Sequence, residues 1–441
     1  MSRVPWSGVW ERWRRAAARA VGPRAMVYRL THRCFSREPV YRGKATAWEA
    51  VKPDARHDFL WSGGTLPEPK AVFQALQWGG QMLITHPELE RVLEVTRWFG
   101  THEGFDVEAG PRSTGRQRWG LPCPLPGVGR ALHYVVVRKV MLIEHDEDTD
   151  RFTFDVRLVK RPELGDRYVV MKQVPRYRRV VARLHSRFPE ASQAVLLERA
   201  EKLVKRVFPV FLTREAGFLQ LMNRDLPEPF KPRVPEALGF ERAPDGTVKR
   251  LYMSWLRLGG EPLSQMGFAQ QAAEMLSVLH DQVGVIHLDL RLDNIVISGG
   301  RVCFLDFGSS VRVGEDIHKS PLLSSLFDEM MNTSQIQRTM GKMRDAGRLT
   351  SDVLVAAQGK IDRGVDMFYL SLQISKPVSN PELLPLIRFD PGSPTAKRIK
   401  MLTDAILRPT NPNRPHFISA RDVLVGLQKI ERKLKKAGEA E

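Results

Sequence analysis

The chain has 441 residues, 42% of them apolar, and a formal net charge of +18. That length suits one large domain or two to three smaller ones, and the apolar fraction excludes wholesale disorder. The charge attracts polyanions such as nucleotides, nucleic acid or an anionic membrane surface, but no specific nucleic-acid partner is indicated.

Cys34, Cys123 and Cys303 lie far apart, without a CxxC or a Cys/His cluster. This argues against a disulfide framework or structural zinc and suits a reducing, cytoplasmic compartment. No apolar run reaches the roughly 18 residues of a membrane span. An apolar signal-peptide core is also missing from the N-terminus.

Residues 1–37 hold nine arginines and a single acidic residue, Glu11. Trp6, Trp10, Trp13, Ala17 and Val21 recur at helical spacing, with Arg12, Arg15 and Arg19 elsewhere on the wheel. A helix over residues 6–21 either lies peripherally on an anionic inner-membrane surface or packs its Trp stripe on the protein itself.

Residues 1–128 read as a mixed, helix-leaning basic extension. Pro67-Glu-Pro69 opens helical periodicity through Gln74, Leu76 and Trp78, and a second helix is predicted from Pro87 to Trp98. Gly and Pro cluster through Gly110-Pro111 and Pro122–Gly129, which marks a loop. Tyr134–Ile143, Arg151–Lys160 and Tyr168–Val174 then read as three consecutive antiparallel strands. The acidic run Glu144–Asp150 supplies the first turn and Pro162–Gly165 the second. A long helical segment follows from Pro189 to Met222, then strands near Pro235–Glu241 and Thr247–Trp255. From Gln265 onward the chain reads as mainly helical, including a final helix Ala420–Leu434.

Chemistry concentrates in two short stretches. In Gly284-Val-Ile-His287-Leu-Asp289-Leu-Arg-Leu-Asp-Asn294, Asp289 and Asn294 stand five residues apart among apolar anchors. Twelve residues on, Val302–Leu305 reads as a buried strand delivering Asp306 in Asp306-Phe-Gly308. These stretches resemble the protein-kinase superfamily, whose catalytic loop reads H-x-D-L-x-x-x-N and whose metal motif is DFG. Further likeness lies in Tyr168-Val-Val-Met-Lys172, Thr213-Arg-Glu215, Arg363-Gly-Val-Asp366 and Asn411-Pro-Asn-Arg414-Pro415. The resemblance spans residues 131–435 and is nearest to a divergent serine/threonine protein kinase.

The resemblance implies an α+β, bilobal fold: a five-stranded antiparallel N-lobe with a regulatory helix at 129–256, and a mainly helical C-lobe at 257–441. Asp289 would be the catalytic base and Arg291 would steady the transferring phosphoryl group. Lys172 would grip the ATP phosphates and pair with Glu215. Asn294 and Asp306 would ligate Mg2+, a hard cation suited to oxygen ligands. Val170, Ser254, Leu256 and Val296 would line the adenine site. Asp366 would brace the catalytic loop, and Leu219 would stack towards Phe307 and His287.

Three features depart from the family. The run Glu144–Asp150 stands where glycines would cover phosphate, Leu288 replaces the Arg before the catalytic Asp, and Ser309–Arg363 lacks an A-P-E motif although Leu323–Met331 and Ser334–Asp345 read as helical. The acceptor is therefore either a protein hydroxyl or, alternatively, an anionic glycolipid such as a lipopolysaccharide sugar. A pseudokinase used as a binding module is the reading from another class.

Overall fold

The computed structural model describes residues 46–47, 57–63, 68–86, 88–102, 104–113, 133–141, 154–164, 167–315, 363–377, 386–407 and 419–439. Outside these lie the Trp/Arg segment 6–21, the acidic run 144–150, the helices expected within 323–345 and the Asn411–Pro415 motif. The chain forms two compact units, Met1–Asp146 and Glu147–Glu441. Its mixture of helix and sheet agrees with the α+β class.

The first unit is built on a five-stranded sheet in the order β1 (Thr46–Ala47), β2 (His57–Gly63), β3 (Leu76–His86), β5 (His133–Lys139), β4 (Phe105–Ser113). β1, β2 and β3 run parallel, whereas β5 is antiparallel to both β3 and β4. Helix α1 (Pro69–Ala75) precedes β3, and α2 (Leu89–Thr101) connects β3 to β4. Val92, Val95 and Phe99 of α2 pack with Leu60, Met82, Ile84, Val135 and Val137 of the sheet in one core.

Two expectations fail here. The periodicity that included Leu76 and Trp78 stops being helical at Ala75, and both residues lie on β3. Gly79-Gly80 follows at once, and two glycines are poor helix formers; Gly79 sits at φ 76. The described part of the region is consequently more sheet than helix. Second, the run from Tyr134 does not open the other unit's sheet. Tyr134–Lys139 is buried throughout, without alternation, as an internal strand covered on both faces must be.

The second unit carries a four-stranded antiparallel sheet, not five, in the order β6 (Asp155–Arg161), β7 (Arg167–Gln173), β9 (Val248–Met253), β8 (Ala237–Arg242). Three helices separate β7 from β8: α3 (Tyr177–Arg187), α4 (Gln193–Lys202) and α5 (Phe208–Asp225). A π-helical turn, Leu203–Val207, joins α4 to α5. Val180 and Leu184 of α3 pack on Leu196 and Ala200 of α4, and with Phe208 they close a small core of their own. The Arg-rich sequence of α3 gave no sign of it, since its two fully buried residues are a minority of the helix.

Beyond the sheet come β10 (Leu263–Ser264), α6 (Gln265–Val278), a second π-helical turn Leu279–Val283, β11 (Val285–Ile286), and a hairpin of β12 (Ile295–Ser298) and β13 (Arg301–Phe304). β14 (Val311–Arg312) pairs with β11. Then follow α7 (Gly364–Ser375), β15 (Ile387–Arg388), α8 (Pro394–Leu407) and α9 (Ala420–Ala437). Ser419 and Asp422 form a capping box at the start of α9, reciprocally satisfying two N-terminal donors. Among the described residues, no helix is long and apolar enough to cross a membrane.

Candidate active site

Lys172 lies on β7, one residue from the strand's end, opposite Leu251 of β9. Its ammonium is 2.7 Å from Glu215 Oε2 and 2.9 Å from Asp306 Oδ1. Three residues from a strand, a helix and a loop are thereby joined around one buried cation. Phe154 places its ring 4.5 Å from the same nitrogen.

Glu215 is held in place by the way α5 is packed. Leu212 and Leu219 are fully buried on that helix, and Glu215 is 2% exposed among them. Thr213 Oγ1 accepts from Val248 N at 2.8 Å, pinning α5 to β9. Near the other end, Asn223 accepts from Ala237 N at 2.8 Å and donates to Pro235 O at 3.3 Å. On the far side Gly308 lies against α5, where a Cβ would come within 3.2 Å of the Phe211 ring and 3.3 Å of its carbonyl oxygen. A Cβ there would be tightly packed, and the neighbouring Phe211 would have to give by a few tenths of an ångström.

The loop after β11 is shaped from beneath by Asp366 of α7. Its fully buried carboxylate accepts from His287 N at 2.7 Å and Leu288 N at 2.8 Å, and pairs with His280 Nε2 at 2.9 Å. Among the described non-glycine residues, the positive φ angles belong to Leu288 (65°) and Asp306 (61°). Such conformations persist where surrounding contacts over-determine them, and they gather at functional sites. His287 is fully buried. Its Nε2 donates to Leu305 O at 2.9 Å while Nδ1 accepts from Asp289 N at 3.3 Å, which assigns the neutral Nε2–H tautomer. Its ring sits 4.7 Å from Phe307, itself fully buried like Leu219.

Asp289 is embraced on one side. Arg291 donates from Nη2 to Oδ2 at 3.1 Å and brings Nε to 2.7 Å from Oδ1 as an ion-pair contact without donating to it. Asn294 Nδ2 donates to Asp289 O at 2.7 Å and to Oδ2 at 3.0 Å. Both protons of that amide point at Asp289, so its Oδ1 is the atom left to ligate a cation.

The charges do not balance. Two cations, Lys172 and Arg291, face three carboxylates, Glu215, Asp289 and Asp306. Burial pushes the Glu215 carboxyl up to about 7, with Lys172 opposing and Asp306 adding to the shift. Burial likewise raises Asp289, against the pull of Arg291. Asp306 goes the other way, because the charge and hydrogen bond of Lys172 outweigh its burial. The uncompensated negative charge and the amide oxygen of Asn294 fit a hard divalent cation. Among the described residues no group of three or more His, Cys, Asp or Glu side chains could hold a metal ion.

The residues expected at the adenine site are less uniform. Val170 is buried opposite Leu158 and Met253. Ser254, just past β9, donates its N–H to Glu236 O at 2.9 Å and accepts from Glu236 N on its hydroxyl at 2.8 Å. These two bonds tie Ser254 to Glu236. Leu256 and Val296 are half-buried. His280 escaped the sequence reading, and Arg363 entered it as part of the Asp366 motif without a role: Arg363 donates to Asp281 Oδ1 at 2.8 Å and His280 O at 3.0 Å, fastening α7 to the π-helical turn. The signal was the polar pair His280-Asp281 interrupting an apolar stripe. No protein-family model matches the chain, and no curated protein matches it.

Proposed function

We propose that the second unit is an ATP- and magnesium-dependent phosphotransferase of the protein-kinase type, with a protein hydroxyl as its leading acceptor. The observation that carries this reading is the meeting of Lys172 with Asp306, 134 residues away in sequence, beside Glu215 and the Asp289–Asn294 loop. Phosphoryl transfer asks little covalent chemistry of a protein; it needs positioned charge.

In this reading Lys172 binds the α- and β-phosphates, and Glu215 keeps its ammonium aimed. Asp306 and Asn294 hold magnesium, which neutralises charge on the phosphates when bound. Asp289 orients the acceptor hydroxyl and accepts its proton, and Arg291 lies beside it as the cation nearest the transferring group. Asp366, acting through the backbone of His287 and Leu288, keeps the loop in its strained form. The second reading, a lipopolysaccharide or other membrane-associated sugar as acceptor, is supported by the Trp/Arg pattern of residues 6–21.

The test measures Mg-ATP binding and γ-phosphate transfer with generic protein and with membrane-lipid acceptors. Wild type is expected to transfer, and Asp306→Asn to lose about four orders of magnitude in rate, as removal of an essential charged group does. Transfer to lipid alone would select the second acceptor. Binding without transfer points to a binding module, and wild type that binds no nucleotide refutes the enzyme.

A further inference from the structure

The peptide group between His287 and Leu288 is held at both ends. Its N–H, on Leu288, donates to Asp366 Oδ1 of α7 at 2.8 Å. Its carbonyl, on His287, accepts from Ser310 Oγ at 3.2 Å. Ser310 comes from the other half of the site, four residues past Asp306. β11 and β14 pair antiparallel with Ile286 opposite Val311, so the same register continued by one residue sets Ser310 opposite His287. The N–H of Ser310 is engaged in its own turn, donating to Phe307 O at 3.1 Å. It is the side chain, in a fully buried place, that makes the bond to His287. Ser310 is also fastened to α5: its carbonyl accepts from Arg214 Nη2, and Arg214 is the neighbour of Glu215 on that helix. The same guanidinium brings Nη1 to 3.8 Å from Glu315 Oε1, whose other oxygen accepts from Arg312 N at 2.8 Å.

We propose that Ser310 is a positioning residue that couples the two halves of the site, the Lys172–Glu215–Asp306 cluster and the loop carrying Asp289. The inference rests on the phosphotransferase reading of that site. Asp289 follows directly on Leu288, whose φ of 65° lies in a region that side chains such as leucine rarely adopt. A backbone so strained persists only while its surroundings hold it. Asp366 holds it from α7, and Ser310 holds it from the segment after Asp306. Because Arg214 ties Ser310 to α5, a shift of the helix that carries Glu215 is passed on through two hydrogen bonds, Arg214 to Ser310 and Ser310 to His287. The loop therefore keeps its shape while α5 and the Asp306 turn are in place. That fixes the spacing between Asp306 and Asp289, and a misplacement of about 1 Å at such a site costs about 100-fold in rate.

The experiment uses the full chain and two readouts. Ser310→Ala removes one oxygen and keeps the carbonyl that Arg214 reaches. In the nucleotide-free variant, amide hydrogen exchange at residues 288–291 is expected to speed up about tenfold, the worth of roughly one hydrogen bond. Its kcat should fall about tenfold, with KM for Mg-ATP unchanged within about twofold. Arg214→Met should speed up exchange at the same amides, and on top of Ser310→Ala it should add less than about twofold, since both act through one residue. Thr403→Val removes a buried hydroxyl on α8 that donates to Lys400 O, and should leave these amides as in wild type. Unchanged exchange in Ser310→Ala overturns the proposal, as does an equal rise in Thr403→Val, full additivity with Arg214→Met, or an active wild type whose kcat Ser310→Ala leaves in place. Because exchange is read without nucleotide, a wild type that fails to transfer phosphate counts against the phosphotransferase reading alone and leaves Ser310 to be judged by exchange.

Discussion

On β5 of the first unit, Arg138 and Lys139 are 6% and 5% exposed, and both end on fixed protein partners. Lys139 donates to the carbonyls of Phe73 and Leu76 at 2.7 and 2.9 Å, at the C-terminal end of α1, with the Phe73 ring 4.0 Å from its nitrogen. Arg138 donates to Glu108 at 2.8 Å and to Gly79 O at 2.6 Å, and Gln81 donates to the other oxygen of Glu108. In the second unit Lys172 is buried as deeply, yet it stands among carboxylates that outnumber the cations. The contrast separates two uses of buried charge. A pair that serves the fold is closed by its own neighbours. A cluster left one positive charge short is what the proposed phosphotransferase would complete with a cation.

The sharpest way to break this comparison is to open the closed pair. Arg138→Met leaves Glu108, whose side chain is 14% exposed, without its cation, and removing one partner of a buried pair costs about 3–5 kcal/mol. Urea unfolding should show that loss, and Arg138→Met with Glu108→Gln should recover most of it. A loss below about 1 kcal/mol, the range of exposed pairs, would mean the network is not closed in the sense argued.

The converse applies to the open cluster, where removing a charge should relieve the fold. The carboxyl of Glu215 titrates near 7 in the folded state, above its ordinary 4.5. Between those values the folded protein holds a proton that the unfolded chain has released. Stability therefore falls as pH rises from about 4.5 to about 7 and is level beyond. Glu215→Gln should flatten that fall by about 2 kcal/mol, a value lowered for its coupling to Lys172. Urea unfolding of the nucleotide-free protein across the window checks it; an unchanged slope would place the proton elsewhere. Phosphate transfer should fall in the same variant, since Lys172 loses its guide.

The two regions also differed in how far their sequence could be read. Asp289, Asn294 and Asp306 could be singled out because the motifs they fall in set residue types and spacing, Lys172 and Glu215 by their order before them, and the structure gathers these residues in one unit. Strand β5 was recognisable as a strand from Tyr-Val-Val-Val, but not its sheet. A strand buried on both faces has no alternation to say which neighbours it joins. Its partners β3 and β4 come from residues that read partly as helix and loop. The contacts that shape the loop after β11, from His280 and Gln373, sit on helical segments where each alone resembles ordinary core or surface. Only contact with Asp366, or a place on its helix, gives them a role.

The finest comparison is between the two cations of the open cluster. Lys172 reaches both carboxylates as a point charge, so direction matters little to it. Arg291 meets Asp289 with the planar fork of its guanidinium, through one directed hydrogen bond from Nη2 to Oδ2 at 3.1 Å and an Nε–Oδ1 ion-pair contact at 2.7 Å. Arg291→Lys keeps the charge and loses the fork. Transfer should drop about tenfold in kcat, near 1.4 kcal/mol, with KM for Mg-ATP little changed. If the rate is retained, Arg291 acts through charge alone, and the orientation of Asp289 must come from Asn294 and the loop backbone. Arg291→Met separates these two contributions: it removes charge and fork together and should fall further than Arg291→Lys only if the charge itself stabilises the transferring phosphoryl group.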